Sequence, residues 1–171
     1  MKKVLIAYFS LTGETYVDGK IEHRSIGNTE VIARKLQVQT DGDMFHIETM
    51  VPYPHDHHEI IELARQELHD GARPDIKNRV ADMEQYDCII LGYPNWWGTM
   101  PMAVFKFLES YDFSGKTIIP FCTHEGSGLG HSVSDVNRLC PRSHILSGTA
   151  IRGGGVAFAD KYVERIVKMI K

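Results

Sequence analysis

Hydroxyl-bearing residues and glycines gather in Ser10-Leu11-Thr12-Gly13 and again in Gly27-Asn28-Thr29-Glu30. The first group follows an apolar run, and the second opens a helical pattern. Hydroxyls, glycine backbone N–H groups and a helix start suit an anion such as a phosphate, with no arginine required. A helix simply capped by Asn28 or Thr29 accounts for the same residues. A Walker-type nucleotide loop does not fit, because Ile21 stands where a magnesium-binding Ser or Thr is needed. A receiver domain does not fit either, since no acidic pair ends the first apolar run.

Both tryptophans of the chain are adjacent, in Gly92-Tyr93-Pro94-Asn95-Trp96-Trp97-Gly98-Thr99-Met100-Pro101. Neighbouring side chains point in different directions, so the pair cannot share one core pocket. A tryptophan at a ligand edge can cover a flat aromatic ring, with base–aromatic stacking worth about 1–3 kcal/mol. The plainer alternative is that one or both cap a sheet. A third segment, Thr123-His124-Glu125-Gly126-Ser127-Gly128, is rich in glycine and can bring backbone N–H groups close to a ligand. Its His124 can bond a ligand, donate a proton to an acceptor, or cap its own loop.

The elements that must position these segments alternate. Strands are expected at Lys3–Phe9, Asp43–Thr49, Asp87–Gly92, Lys116–Cys122 and His144–Ala150. Helices are expected at Asn28–Gln39, His58–His69, Pro101–Ser110, Gly128–Leu139 and Phe158–Ile170. Val31, Ile32, Leu36 and Val38 lie on or near one face of the first helix. Tyr162, Val163, Ile166, Val167 and Ile170 face inward on the last. Five βα units imply an α/β fold: a doubly wound parallel sheet with helices on both faces. In such sheets ligands bind beyond the carboxyl ends of the strands, where all three segments fall.

The chain has 171 residues, 43% of them hydrophobic, and a formal net charge of −3. That length suits one domain spanning 1–171. The charge points to neither a nucleic-acid nor an anionic-membrane partner. No apolar run approaches the ~18 residues of a membrane helix, and the apolar stretch after Met1-Lys2-Lys3 is too short for a signal peptide. Cys88, Cys122 and Cys140 are odd in number and widely spaced, which argues against a disulfide framework and for a cytoplasmic location. They read as small buried hydrophobes, with Cys122 ending a strand beside the glycine-rich segment. The run His55-Asp56-His57-His58-Glu59 with Glu62 invites a metal reading, but a solvated helix start explains it better, and no metal is expected.

Together the three segments resemble the flavodoxin family, in particular a branch with Gly-Tyr-Pro-x-Trp-Trp-Gly-x-x-Pro and Thr-His-Glu-Gly-Ser-Gly segments. The resemblance runs from Lys3 to the last helix. It implies a five-stranded sheet of order 2-1-3-4-5 and non-covalently bound FMN. It implies that Ser10, Thr12, Asn28 and Thr29 hold the phosphate, with Gly13 or Gly27 supplying the nearest N–H. Pro94, Asn95, Trp96, Trp97 and Gly98 would form one wall of the ring site, and Thr123, His124, Glu125, Gly126, Ser127 and Gly128 the other. The implied function is electron transfer to a redox partner protein. The alternative is NAD(P)H-dependent reduction of quinones or other small flat electron acceptors, and a flavin-free binding module is a third reading.

One departure from the family pattern stands out. Residues 14–26 interrupt a phosphate loop that is ordinarily continuous. Asp18-Gly19 between Thr15-Tyr16-Val17 and Ile21 is a hairpin signal. A hairpin there would project over the ligand face, bring Tyr16 near the ligand and offer Thr15 as a substitute hydroxyl.

Overall fold

The computed structural model describes residues 1–171. Strand β1 (Val4–Tyr8) is buried on both faces, as its unbroken apolar run requires. It is followed by a hairpin, β2 (Gly13–Val17) and β3 (Lys20–Arg24), and then by α1 (Asn28–Thr40) and β4 (Asp43–His46). Next come α2 (His57–Asp70), β5 (Cys88–Pro94), α3 (Met102–Glu109), β6 (Thr117–His124) and α4 (Ser132–Leu139). Strands β7 (His144–Ile145) and β8 (Thr149–Arg152), a 3-10 segment (Gly153–Phe158) and α5 (Asp160–Met169) complete the chain.

The central sheet runs β4-β1-β5-β6-β7, with β8 also on β6, and every pairing within it is parallel. Counted without the hairpin, this is the expected 2-1-3-4-5 order. Alternation along β1 divides the core between the two faces. Leu5 and Ala7, with Phe9 just beyond the strand, pack with α3 and α4. Val4, Ile6 and Tyr8 pack with α1 and α5.

The last strand departs from the expectation of one strand over His144–Ala150: it is split. Leu146 still donates to the Ile118 carbonyl (2.9 Å), so Ile118 turns its backbone toward this side. Pro120, two residues on, turns the same way and has no N–H to offer, and the neighbouring ladder breaks there. Strand β4 is shorter than expected because the chain leaves the sheet after Ile47, whose N–H reaches the Tyr8 carbonyl at 2.8 Å.

Helix α4 begins at Ser132 rather than Gly128, since Gly128 (φ 62°) and Gly130 (φ 53°) hold left-handed conformations. A Cβ on Gly130 would overlap the Gly98 carbonyl, so only glycine fits there. Helix α5 begins at Asp160 and leaves Phe158 and Tyr162 exposed, so of the expected inward set Val163 and Ile166 are buried, Val167 and Ile170 pack partly buried against the core, and Tyr162 alone faces solvent. In α1, Ala33 joins Ile32 and Leu36 inside, while Val38 faces solvent. All three cysteines are buried and unpaired. No helix is long and apolar enough to cross a membrane.

Candidate functional site

Strands β1, β5 and β6 deliver three loops to one end of the sheet. The loop after β1 approaches the start of α1 so closely that a Cβ on Gly27 would overlap Ser10 Oγ and the Leu11 carbonyl. Neither Asn28 nor Thr29 is the cap. Gly27 holds that position without a side-chain bond, and Ser10 Oγ accepts from the Glu30 N–H at 3.2 Å. Thr29 is buried, with its hydroxyl 2.8 Å from that of Thr123 on β6. The first-turn N–H groups of Asn28 and Thr29 have no protein acceptor.

After β5, the chain makes a tight turn closed by Trp96 N–H to Thr99 O (2.8 Å). Trp97 (φ 56°) and Gly98 (φ 88°) occupy its corners. The left-handed conformation of Trp97 costs about 1–3 kcal/mol and persists only where the surroundings impose it. Here the indole N–H donates to the Ile61 carbonyl of α2 at 3.1 Å. Trp96 turns the other way and meets Phe9 and Tyr53 edge-on, at 5.1 and 5.3 Å between ring centres. The two rings therefore diverge, as adjacency requires. Asn95 ties this turn to the loop after β6: its Nδ2 donates to Gly128 O at 2.8 Å, and its Oδ1 accepts from Gly98 N–H at 2.9 Å.

In the third loop, His124 Nδ1 accepts from Gly126 N–H at 2.9 Å. Nε2 is then the nitrogen that carries hydrogen in the neutral ring. Burial lowers the pKa of His124, and Arg152 adds to this against an opposing pull from Glu125. Cys122 is fully buried, and burial pushes its thiol up to about 12, so it is a core residue and not a reactive one.

The hairpin forms as its Asp-Gly signal implies. Asp18 (φ 48°) and Gly19 (φ 85°) make the turn, and Gly13 pairs with Arg24 at its base. It crosses from α2 to the third loop. Near the base, Glu14 Oε2 accepts from His57 N–H at 3.0 Å, and the Tyr16 ring stacks on His57 at 5.9 Å. At the tip, Asp18 N–H donates to Glu125 Oε2 at 3.0 Å, and Arg152 Nε reaches Asp18 Oδ1 at 3.3 Å.

Between these elements lies a cleft of about 610 Å³ lined by Asn28, Pro94, Asn95, Trp96, Trp97, Gly98, Thr123, His124, Glu125 and Ser127. It adjoins a chamber of about 100 Å³ at the start of α1, lined by Ser10, Asn28, Thr29 and Thr123 among others. Besides Gly27, which packs against Ser10 and Leu11, four residues singled out in the sequence line neither space. Thr12 is exposed and faces a separate pocket with His46 and Lys77. Gly13 packs against His55. Gly126 is exposed at the loop tip, and Gly128 serves the wall through its carbonyl.

Conversely, Thr15, Tyr16 and Ile21 of the hairpin line the cleft, with His57, His58, Ile61 and Ala64 of α2. Glu14 and His57 also line the chamber. The α2 residues were hidden in a pattern that reads as an ordinary amphipathic helix. The sole hint was the histidine run at its start, where Asp56 caps the helix through the Glu59 N–H.

A family model described as flavodoxin matches residues 3–166. Among solved structures, a candidate flavoprotein from Bacteroides eggerthii is 28% identical with a TM-score of 0.74, over 94% of this chain and 98% of that one. Another from Bacteroides uniformis is 25% identical with a TM-score of 0.75, over 95% and 98%. A flavoprotein in complex with FMN from Lactobacillus acidophilus shares the fold at 20% identity, with a TM-score of 0.68 over 95% and 99%. No curated protein matches the sequence.

Proposed function

The chain belongs to the flavodoxin family, and from that premise we propose that it binds FMN non-covalently and uses it in electron transfer. The observation that carries this reading is the joining of two spaces at the carboxyl ends of the strands. A cleft of about 610 Å³ with tryptophan on one wall adjoins a small hydroxyl-lined chamber at a helix start. A flat ring bearing a phosphorylated chain needs that combination, and the size lies within the usual range for ligand sites.

The chemistry of the lining fits the group. The chamber offers the hydroxyls of Ser10, Thr15, Thr29 and Thr123, and the α1 N–H groups of Asn28 and Thr29 lack protein acceptors. Asn28 Oδ1 and Glu125 Oε1 are buried without partners. Such orphaned acceptors are costly unless a ligand or water donates to them, and the hydroxyls of a sugar-alcohol chain are suitable donors. The Lactobacillus acidophilus relative was solved with FMN.

FMN, when bound, supplies reversible one- and two-electron chemistry on an aromatic ring. The chain's own residues bind and shield it. Trp96, held edge-on by Phe9 and Tyr53, is a fixed wall. Trp97 reaches to α2 and narrows the opening. His124, kept neutral by its surroundings, offers an N–H at Nε2 without adding charge.

The test is an absorption spectrum of the purified protein, then fluorescence titration with FMN and riboflavin. FMN should bind, and more tightly than riboflavin. Absence of binding by either flavin rejects the reading. A second reading, reduction of small flat acceptors by NADH or NADPH, is favoured by the extension of the cleft along α2 and the hairpin. Anaerobic titration decides between them. Reduction by about one equivalent of a nicotinamide supports the reductase. Reduction by dithionite alone supports a carrier that serves a redox partner protein.

A further inference from the structure

We propose that His57 is the cationic partner of the ligand's phosphate, gaining a proton as the phosphate enters the chamber; this rests on the FMN reading. The charge census of the two spaces motivates it. No lysine or arginine lines either one, while Glu14 and Glu125 bring carboxylates. Helix N–H groups and hydroxyls can hold a phosphate by themselves, but here the dianion also meets the like charge of Glu14, which an adjacent cation offsets. His57 is the one residue lining the chamber that can acquire it, because His58 and His124 line only the larger cleft.

The imidazole is placed for this role. His57 is the first residue of α2 and lines both spaces. Its backbone N–H is held by Glu14 and one ring face by Tyr16. No protein group bonds either ring nitrogen, so both remain available to a ligand. The charged and titratable groups around it are Glu14 and Tyr16 from the hairpin, Asp56 before it and His58 after it.

Without ligand, burial and then His58 lower its pKa, against weaker opposition from Glu14 and Asp56. The helix dipole also disfavours a cation at this end. The ring is therefore neutral at pH 7 when the chamber holds no anion. A dianion in the chamber raises the pKa, so binding takes up a proton from solvent. By linkage, phosphate-dependent affinity must then increase as pH falls.

The experiment measures dissociation constants for FMN and riboflavin from pH 8.5 downward by fluorescence quenching. The ratio of riboflavin to FMN constants isolates the phosphate. It should rise by up to about tenfold per pH unit between roughly pH 8 and 6.5. In that window the phosphate, with a second pKa of about 6, remains largely a dianion. His57→Gln should lower the ratio and flatten its pH dependence. His57→Lys should restore a high ratio that does not vary with pH. His58→Gln and His124→Gln, which line only the larger cleft, should keep the wild-type slope of the ratio, and an unchanged far-ultraviolet circular dichroism spectrum certifies the fold of each variant. A flat or falling ratio in the wild type, or the wild-type slope in His57→Gln, overturns the assignment. If neither flavin binds at any pH, the FMN reading itself fails and takes this one with it. If FMN binds with a flat ratio, the cofactor reading stands and the His57 assignment alone falls.

Discussion

Two residues show how much of the site rests on side chains that need not touch a ligand. Asn95 joins the tryptophan turn to the third loop through both ends of its amide. Losing a partly buried amide with two partners costs about 1–3 kcal/mol. Asn95→Ala should therefore lower the melting temperature of the ligand-free protein. It should also weaken FMN and riboflavin by the same factor, because it loosens the wall and not the phosphate chamber. Trp97 gives a sharper contrast. Alanine at that position keeps the left-handed strain, and glycine does not. Trp97→Gly should thus be more stable than Trp97→Ala by about 1–2 kcal/mol, in chemical denaturation, although glycine ordinarily destabilises. The divergence of the tryptophans was legible in the sequence because adjacency dictates it. The φ of Trp97 was not, since no local rule places a bulky aromatic in that region. The roles of Ser10 as surrogate cap and His57 as chamber wall depend on residues far apart in the chain, which periodicity does not register.

At the scale of elements, the hairpin distinguishes this chain from a continuous phosphate loop. Its turn was legible in Asp18-Gly19, whose positive φ values match the twist of a two-residue hairpin. Its destination was not, because docking on Glu125 and Arg152 joins positions more than a hundred residues apart. The tip is held by a backbone bond and an exposed ion pair. An exposed pair is worth about 0–1 kcal/mol, or up to roughly fivefold in a rate. Arg152→Ala should accordingly speed FMN release by no more than that, measured by stopped-flow displacement, and leave the fold intact. Deleting Glu14–His23 and joining Gly13 to Arg24 is the stronger test, since those residues already pair across the hairpin base. The deletion should speed both FMN release and reoxidation by small quinones and oxygen. Unchanged rates would mean that the hairpin is a bystander, and loss of FMN would mean that Thr15 and Tyr16 are ligand contacts.

The whole molecule was the most legible scale, because two-sided burial of a parallel sheet writes itself into continuous apolar runs such as Val4–Tyr8 and Cys88–Leu91. What escaped was the break in the last strand, which depends on the register of Pro120 against a neighbour and not on the strand's own residues. The global charge has a consequence for capture of the cofactor. The chain carries a net charge of −3, and no lysine or arginine lines the cleft or the chamber. Steering by a cationic site raises association rates by about 10- to 1,000-fold and collapses in salt. No lining cation supplies such a field here, and the chain that a doubly charged ligand approaches is itself net negative. At pH 8, where His57 is neutral, the association rate for FMN should therefore stay level or rise slightly as salt increases from about 20 to 500 mM, the range over which exposed charges become screened. Stopped-flow quenching of tryptophan fluorescence measures it, with uncharged riboflavin as the reference. A fall of tenfold or more with salt would mean that cations outside the lining gather at the entrance, with Arg24 and Arg152 the first to replace. A level response places the phosphate's contribution after encounter, in the slow release of a ligand whose charge is matched only once it is inside.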